Sequence, residues 1–146
     1  MSIERERPYP GMNFTVEMGQ GEEKALVEVV FPEARLQMVD YRPGNDLDQT
    51  KMLLPTVTKY GNLILRRGAI GSLNWYQWWD ASRKGDQDVL RDITVSLLSE
   101  DSSEKVMTWI FRRAHPFNYQ FSRLNGLGME PLIESLEVAF ERMEIA

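Results

Sequence analysis

Lys59-Tyr60-Gly61-Asn62-Leu63-Ile64-Leu65-Arg66-Arg67-Gly68, entered through Leu54-Pro55 and continued by an aromatic segment to Gly85, is the stretch that places this chain. Leu54-Pro55 reads as a proline-containing turn. From Asn62 to Arg67 the pattern alternates, with Leu63 and Leu65 on one face and Ile64 and Arg66 on the other, which predicts a strand. Gly68 and Gly71 bracket its exit. Trp75, Tyr76, Trp78, Trp79 and Ser82 then recur at helical spacing, with Ser72 as the expected N-cap and Gly85 where a left-handed C-terminal residue belongs. The spacing predicts one helix over 73–84. Its rings, clustered at i, i+3 and i+4, are expected to fill the space between helix and sheet rather than form a stacking platform for bases or sugars.

Outward from that stretch the chain alternates again and again. Met12, Phe14, Val16 and Met18 share one side of a strand that carries Asn13, Thr15 and Glu17 on the other. Ala25 to Phe31 is apolar on both faces, so both are expected to be covered, and Pro32 ends it. Leu36 to Arg42 reads as a third strand, closed by the turn residues Pro43-Gly44-Asn45-Asp46, and the polar run 43–53 is expected to be an exposed arm or loop. Ile93, Val95 and Leu97 alternate with Asp92, Thr94 and Ser96. After a polar turn from Ser99 to Lys105, Met107, Trp109 and Phe111 alternate with Val106, Thr108, Ile110 and Arg112, giving a hairpin. Phe117, Tyr119 and Phe121 alternate once more. The last segment carries both signals: Leu132, Leu136, Ala139, Phe140 and Met143 are helically spaced, while Leu136, Val138 and Phe140 alternate with Glu137, Ala139 and Glu141.

Composition bounds the chemistry. At 146 residues, 42% hydrophobic, the chain suits a single domain with one core. It has no cysteine and one histidine, which excludes disulfides, thiol catalysis and any mixed Cys/His metal site. No apolar run reaches membrane-spanning length and the first ten residues, charged and proline-containing, lack the apolar core of a signal peptide, so synthesis and folding in the cytoplasm are expected. The net charge of −5 argues against a general nucleic-acid-binding surface. His115 has no nucleophile at a recognisable spacing, and the acidic pairs Glu22-Glu23, Asp46/Asp48 and Glu100-Asp101 fall in expected turns, where charges are ordinarily solvated. The Gly19/Gly21 and Gly126/Gly128 pairs lack the strand-to-helix context of a phosphate loop. No catalytic, cofactor-binding or metal-binding residue is assigned, and an enzyme is the least favoured class.

Taken in order, Pro10-Gly11-Met12-Asn13-Phe14, Val39-Asp40-Tyr41-Arg42-Pro43-Gly44-Asn45-Asp46, Leu54-Pro55, Lys59 through Gly68, the Trp-bearing helix, Trp109-Ile110-Phe111-Arg112-Arg113-Ala114-His115-Pro116 and the Glu-rich close span nearly the whole chain. In that order and spacing the chain resembles the tail-tube proteins of contractile phages and of extracellular contractile injection systems, a family related in fold to the tube protein of type VI secretion. The resemblance implies a mainly β domain over 1–146, a sandwich-like barrel with one flanking helix; the highly charged segment Ser2 to Arg7 departs from the family's start, and residues 1–9 are expected to be flexible. It implies a strand, not a helix, over 132–143. It further implies hexameric rings that stack into a hollow tube inside a sheath, driven through a target envelope on contraction to deliver DNA or protein cargo.

By the same resemblance Tyr41, Arg42, Asn45, Asp46, Leu54, Pro55, Lys59 and Tyr60 are expected to contribute to contacts between subunits or successive rings. The expected partners are further copies of the chain, the sheath protein, baseplate or tube-initiator and terminator proteins, and cargo in the lumen, with no membrane insertion by this chain. The expected location is the bacterial cytoplasm during assembly, then the phage tail or the extracellular particle. Two rival readings are a baseplate-proximal tube initiator of the same fold and an unrelated monomeric β-barrel whose aromatics line a ligand pocket.

Overall fold

The computed structural model describes residues 2–19, 21–41, 44 and 52–146. It contains nine strands and one α-helix among them: β1 (Phe14–Glu17), β2 (Leu26–Val30), β3 (Ala34–Tyr41), β4 (Met52–Tyr60), β5 (Leu63–Gly68), α1 (Asn74–Arg83), β6 (Arg91–Leu98), β7 (Lys105–Phe121), β8 (Ile133–Ala139) and β9 (Arg142–Ile145). A single 3-10 turn, Gln87–Val89, follows α1. The chain falls into two compact units, residues 32–61 and the remainder.

The larger unit is one antiparallel sheet in the order β1-β6-β7-β8-β5-β2, with β9 also on β7. β7 is the axis of this arrangement. Its first half pairs with β6 on one side and β9 on the other, and its second half pairs with β8. The expected two short segments, 106–112 and 117–121, are therefore one strand of 17 residues. It stays continuous because the break falls at Arg113, in a left-handed conformation (φ 53°), whose N–H donates to Asp92 Oδ1 at 3.0 Å. Pro116, which has no N–H to give, sits where the register with β8 shifts. The ambiguous C-terminal segment is two strands, β8 and β9, separated at Phe140 and Glu141 and running along the same side of β7. The helical spacing there was overridden by the period-two pattern, because Leu136 and Val138 bury against Leu65 and Leu63 directly across the ladder.

The core follows from the same parity. Val16, Met18, Leu63, Leu65, Ile93, Val95, Phe111, Leu136 and Val138 point inward, and Trp75 and Trp78 of α1 close over them. As the aromatic spacing predicts, these two Trp rings are core. Trp79 is partly buried, and Tyr76 stands exposed. The helix starts one residue later than expected: Leu73 occupies the N-cap and offers no side-chain bond, while Asn74 Oδ1 accepts the Trp75 N–H at 2.9 Å. Its end is as expected. Gly85 takes φ 79°, its N–H reaches Ser82 O at 3.1 Å and the Asp86 N–H reaches Ala81 O at 3.2 Å, the paired bonds of a Schellman motif.

Two expectations at the N-terminal side fail. Met12 lies in a turn before β1 and is exposed, so the buried face of that strand begins at Phe14. β2 is not covered on both faces: a register shift between Leu26 and Glu28 turns Val27 and Val30 outward and leaves only Leu26 and Val29 packed on the core. Residues 2–9 are tied to β7 and the β6–β7 turn by the Ile3 N–H to Val106 O bond (2.8 Å) and an Arg5–Glu100 ion pair (2.7 Å), while Tyr9 Oη donates back to Ile3 O (3.0 Å).

The smaller unit is a two-stranded antiparallel ribbon, β3 on β4. The expected proline turn at Leu54-Pro55 is instead the interior of β4, and Met52 and Leu53, expected in the exposed arm 43–53, are its first residues. Pro55 is tolerated there because, among the described residues, β4 pairs with β3 alone, and Pro55 sits opposite Met38 beside the register shift at Leu36/Met38. Arg42, Asn45 and Asp46 lie outside the described residues.

Candidate assembly surface

The ribbon carries the sequence-predicted contact residues that can be placed. Tyr41 stands opposite Met52, Val39 opposite Leu54, Met38 opposite Pro55, Arg35 opposite Lys59 and Ala34 opposite Tyr60. Residues directly across an antiparallel ladder share a face. Tyr41, Val39, Met52 and Leu54 therefore line one side, and Met38, Leu53 and Pro55 the other. Every residue of β3 is exposed, as is all of β4 before Tyr60. An isolated two-stranded ribbon is marginal in water, and one apolar on both faces has hydrophobic surface that stability requires to be covered.

A second cluster is polar and inward. Arg67 is 1% exposed and faces Glu134, 4% exposed, directly across β5 and β8. Arg67 Nε donates to Glu134 Oε1 at 2.5 Å, its Nη1 to Glu23 Oε2 at 3.4 Å and its Nη2 to Ser72 O at 3.3 Å. The guanidinium lies over the Trp75 ring, 4.3 Å from its centroid. Tyr119 Oη donates to the other Glu134 oxygen. Burial, and after it this bond to a carboxylate, push the Tyr119 phenol well above its ordinary pKa. Glu23 also accepts from Asn74 Nδ2 at 3.2 Å, so the network ties the β1–β2 turn, β5, α1, β7 and β8 together. Sequence reading missed it, although the signal was present: parity puts Arg67 with Leu63 and Leu65, and Glu134 with Leu136 and Val138.

An apolar cavity opens between β2 and the β1-β6-β7 strands, lined by Phe14, Val27, Val29, Phe31, Leu97 and Trp109. Its one charged lining residue, Glu28, pairs with Arg66. It thus lacks the set of convergent polar groups that orients a small ligand. His115 is partly buried in β7, its Nδ1 without a hydrogen-bond partner among the described residues. Neither feature assembles reactive groups.

Residues 10–144 match the sequence profile described as T4-like virus tail tube protein gp19. The chain belongs to this tail tube family. It is accordingly a structural subunit of the inner tube of a contractile tail or injection system. Solved structures agree in fold. A chain of the sheath–tube complex of an extracellular contractile injection system, PVC, in the extended state superposes with TM-score 0.84 at 22% identity, over 97% of this chain and 93% of that one. A chain of the anti-feeding prophage tube terminating cap gives 0.85 at 20% identity, covering 100% and 95%. Hcp1 from Flavobacterium johnsoniae gives 0.63 at 15% identity, covering 91% and 94%. No curated protein sequence matches significantly. The mainly β reading with a single flanking helix therefore stands, and the tail-tube assignment stands over the monomeric ligand-binding barrel.

Proposed function

We propose that the chain closes into hexameric rings that stack into a conduit, and that the β3–β4 ribbon supplies contacts between copies. Tyr41, Leu54, Pro55, Lys59 and Tyr60 take part in those contacts, together with Arg42, Asn45 and Asp46 in the intervening segment. The observation that carries this reading is the ribbon's exposure of apolar residues on both faces. Such a ribbon is an aggregation hazard in a monomer and an asset in a symmetric assembly, where the same contact repeats around a closed ring.

In this reading the ribbon and the larger β unit act as one tail-tube domain. The sheath surrounds the tube, a baseplate or initiator protein starts it and a terminator caps it, as the sheath–tube, baseplate and cap structures of the similar proteins suggest by analogy. Cargo, nucleic acid or protein, passes through the lumen. The subunit assembles in the producing bacterium's cytoplasm, does not insert into the membrane and performs no catalysis. A conduit needs only shape, a non-adhesive bore and strong self-association, and the described surfaces answer to the last of these.

Negative-stain electron microscopy of the purified protein, with solution mass, tests the proposal. Six-fold rings or stacked tubes are expected for the parent chain, and Leu54→Asp is expected to abolish them while leaving a folded subunit. A parent chain that stays monomeric at all concentrations and salts, or an L54D variant that assembles normally, overturns the reading.

A further inference from the structure

Of the six asparagines in the chain, Asn125 alone precedes a glycine; the others stand before Phe14, Asp46, Leu63, Trp75 and Tyr119. Asn125 and Gly126 lie in the loop between β7 and β8, and both are exposed to water. The base of the loop is pinned, the Ser122 N–H donating to Ile133 O at 2.8 Å and the Ile133 N–H to Ser122 Oγ at 2.9 Å. Its tip is held by Asn125. The Leu127 N–H donates to Asn125 Oδ1 and the Gly128 N–H to Asn125 O, each at 3.1 Å, so the side-chain amide is part of the turn.

This turn sets out the parts of an intramolecular acyl transfer. The electrophile is Asn125 Cγ, and the Leu127 N–H already sits on the oxygen that takes up negative charge when Cγ is attacked, as a donor in an oxyanion site does. The nucleophile is the Gly126 nitrogen, whose N–H donates to nothing among the described residues. Gly126 has no side chain and open space beside it, with nothing within 4 Å of where a Cβ would stand, so little hinders the rotation that brings its nitrogen onto Cγ. The leaving group is Nδ2. It and a Glu130 carboxylate oxygen crowd the same spot against Gly128, where an added Cβ would meet Nδ2 at 3.2 Å.

We infer that Asn125 is a site of spontaneous covalent modification, its amide exchanged for a carboxylate through a cyclic imide with Gly126, water being the one co-reactant. The Gly126 N–H gives its proton to solvent base and the nitrogen bonds to Asn125 Cγ. The Cγ–Nδ2 bond breaks, and the leaving nitrogen takes up a proton and departs as ammonia. Water then opens the imide. Addition at Cγ leaves an aspartate at position 125, and addition at the backbone carbonyl leaves an isoaspartate, whose main chain is one carbon longer. Nothing is oxidised or reduced. Each conversion adds a negative charge beside Glu130 and loosens the turn that the amide held. The inference rests on the loop alone and is independent of the tube reading.

Trypsin releases residues 124–142 as a peptide in which Asn125 is the only side-chain amide, so an amide-to-acid mass gain there reads this position alone. The purified chain, held for days in mildly alkaline buffer, is expected to convert in this peptide, with isoaspartate the larger product, while peptides carrying Asn13, Asn62 and Asn74 keep their mass. Gly126→Ala, which the open space accommodates, is expected to slow conversion by about tenfold without changing the far-UV spectrum. The same incubation in urea reads what the turn contributes: the folded chain is expected to convert no more slowly than the unfolded one. No mass gain in 124–142, a Gly126→Ala chain that converts as fast as the parent, or aspartate without isoaspartate overturns the imide route. A folded chain that converts far more slowly than the chain in urea overturns the inference that this turn favours the reaction.

Discussion

Replacing Glu134 by Ala removes the central acceptor of the buried network. Arg67, 1% exposed, then keeps only the longer bond to Glu23 at 3.4 Å and the one to Ser72 O at 3.3 Å, and the Tyr119 hydroxyl loses its acceptor. Breaking one partner of a buried ion pair costs roughly 3–5 kcal/mol, because the remaining charge has no water to return to. For a chain of this size that corresponds to a fall in Tm of about 6–20 °C. Glu134→Gln keeps the shape and an acceptor for Tyr119 but removes the charge, and is expected to cost about 1.5–3 kcal/mol, the range for a hydrogen bond to a charged group. The ordering Ala worse than Gln worse than parent is the signature of charge pairing rather than of packing. Urea unfolding of the dispersed subunit, followed by tryptophan fluorescence, reads it directly, since the Arg67 guanidinium covers Trp75. An Ala variant within about 1 kcal/mol of the parent would refute the reasoning, for it would mean that water reaches Arg67 and that the pair is not effectively buried.

Two further outcomes follow from local geometry. Tyr119→Phe is expected to remove an alkaline component of stability: a phenol whose pKa is raised in the folded chain stabilises it fully below the unfolded value of about 10 and loses that contribution as pH rises above it, so parent and variant stabilities should converge in alkaline solution. Parallel curves over that range would contradict it. Gly85→Ala is expected to cost about 1–2 kcal/mol from backbone strain at φ 79°, with no steric part because an added Cβ meets nothing within 4 Å, and thermal melting of the subunit measures it.

Alternation by itself located β5, β6, the β6–β7 hairpin and the inward set Leu63, Leu65, Ile93 and Val95, because a side-chain period of two is a local property of the backbone. Helical spacing and Gly85 located α1 for the same reason. The composition, without cysteine and with one histidine, removed whole classes of chemistry. The order of its motifs pointed to the tail-tube family, which the match over residues 10–144 then showed. Local pattern did not determine which long-range partner each strand would find. The C-terminal segment carried two periods at once, and only the ladder of β8 on β5 and β7 selected one. Pro55 signals a turn in isolation and becomes a strand residue opposite Met38 of β3. Val27 and Met12 are apolar by type, yet a register shift and a turn leave them exposed. The buried Arg67–Glu134 pair is implied by parity on each strand separately, but pairing a charge with its opposite across the core needs the register between strands. The rings of Tyr76, Tyr119 and Phe121 come together from segments more than forty residues apart, so no short window of sequence contains them. Periodicity is written residue by residue; register, burial and surface neighbourhood arise only when distant segments meet.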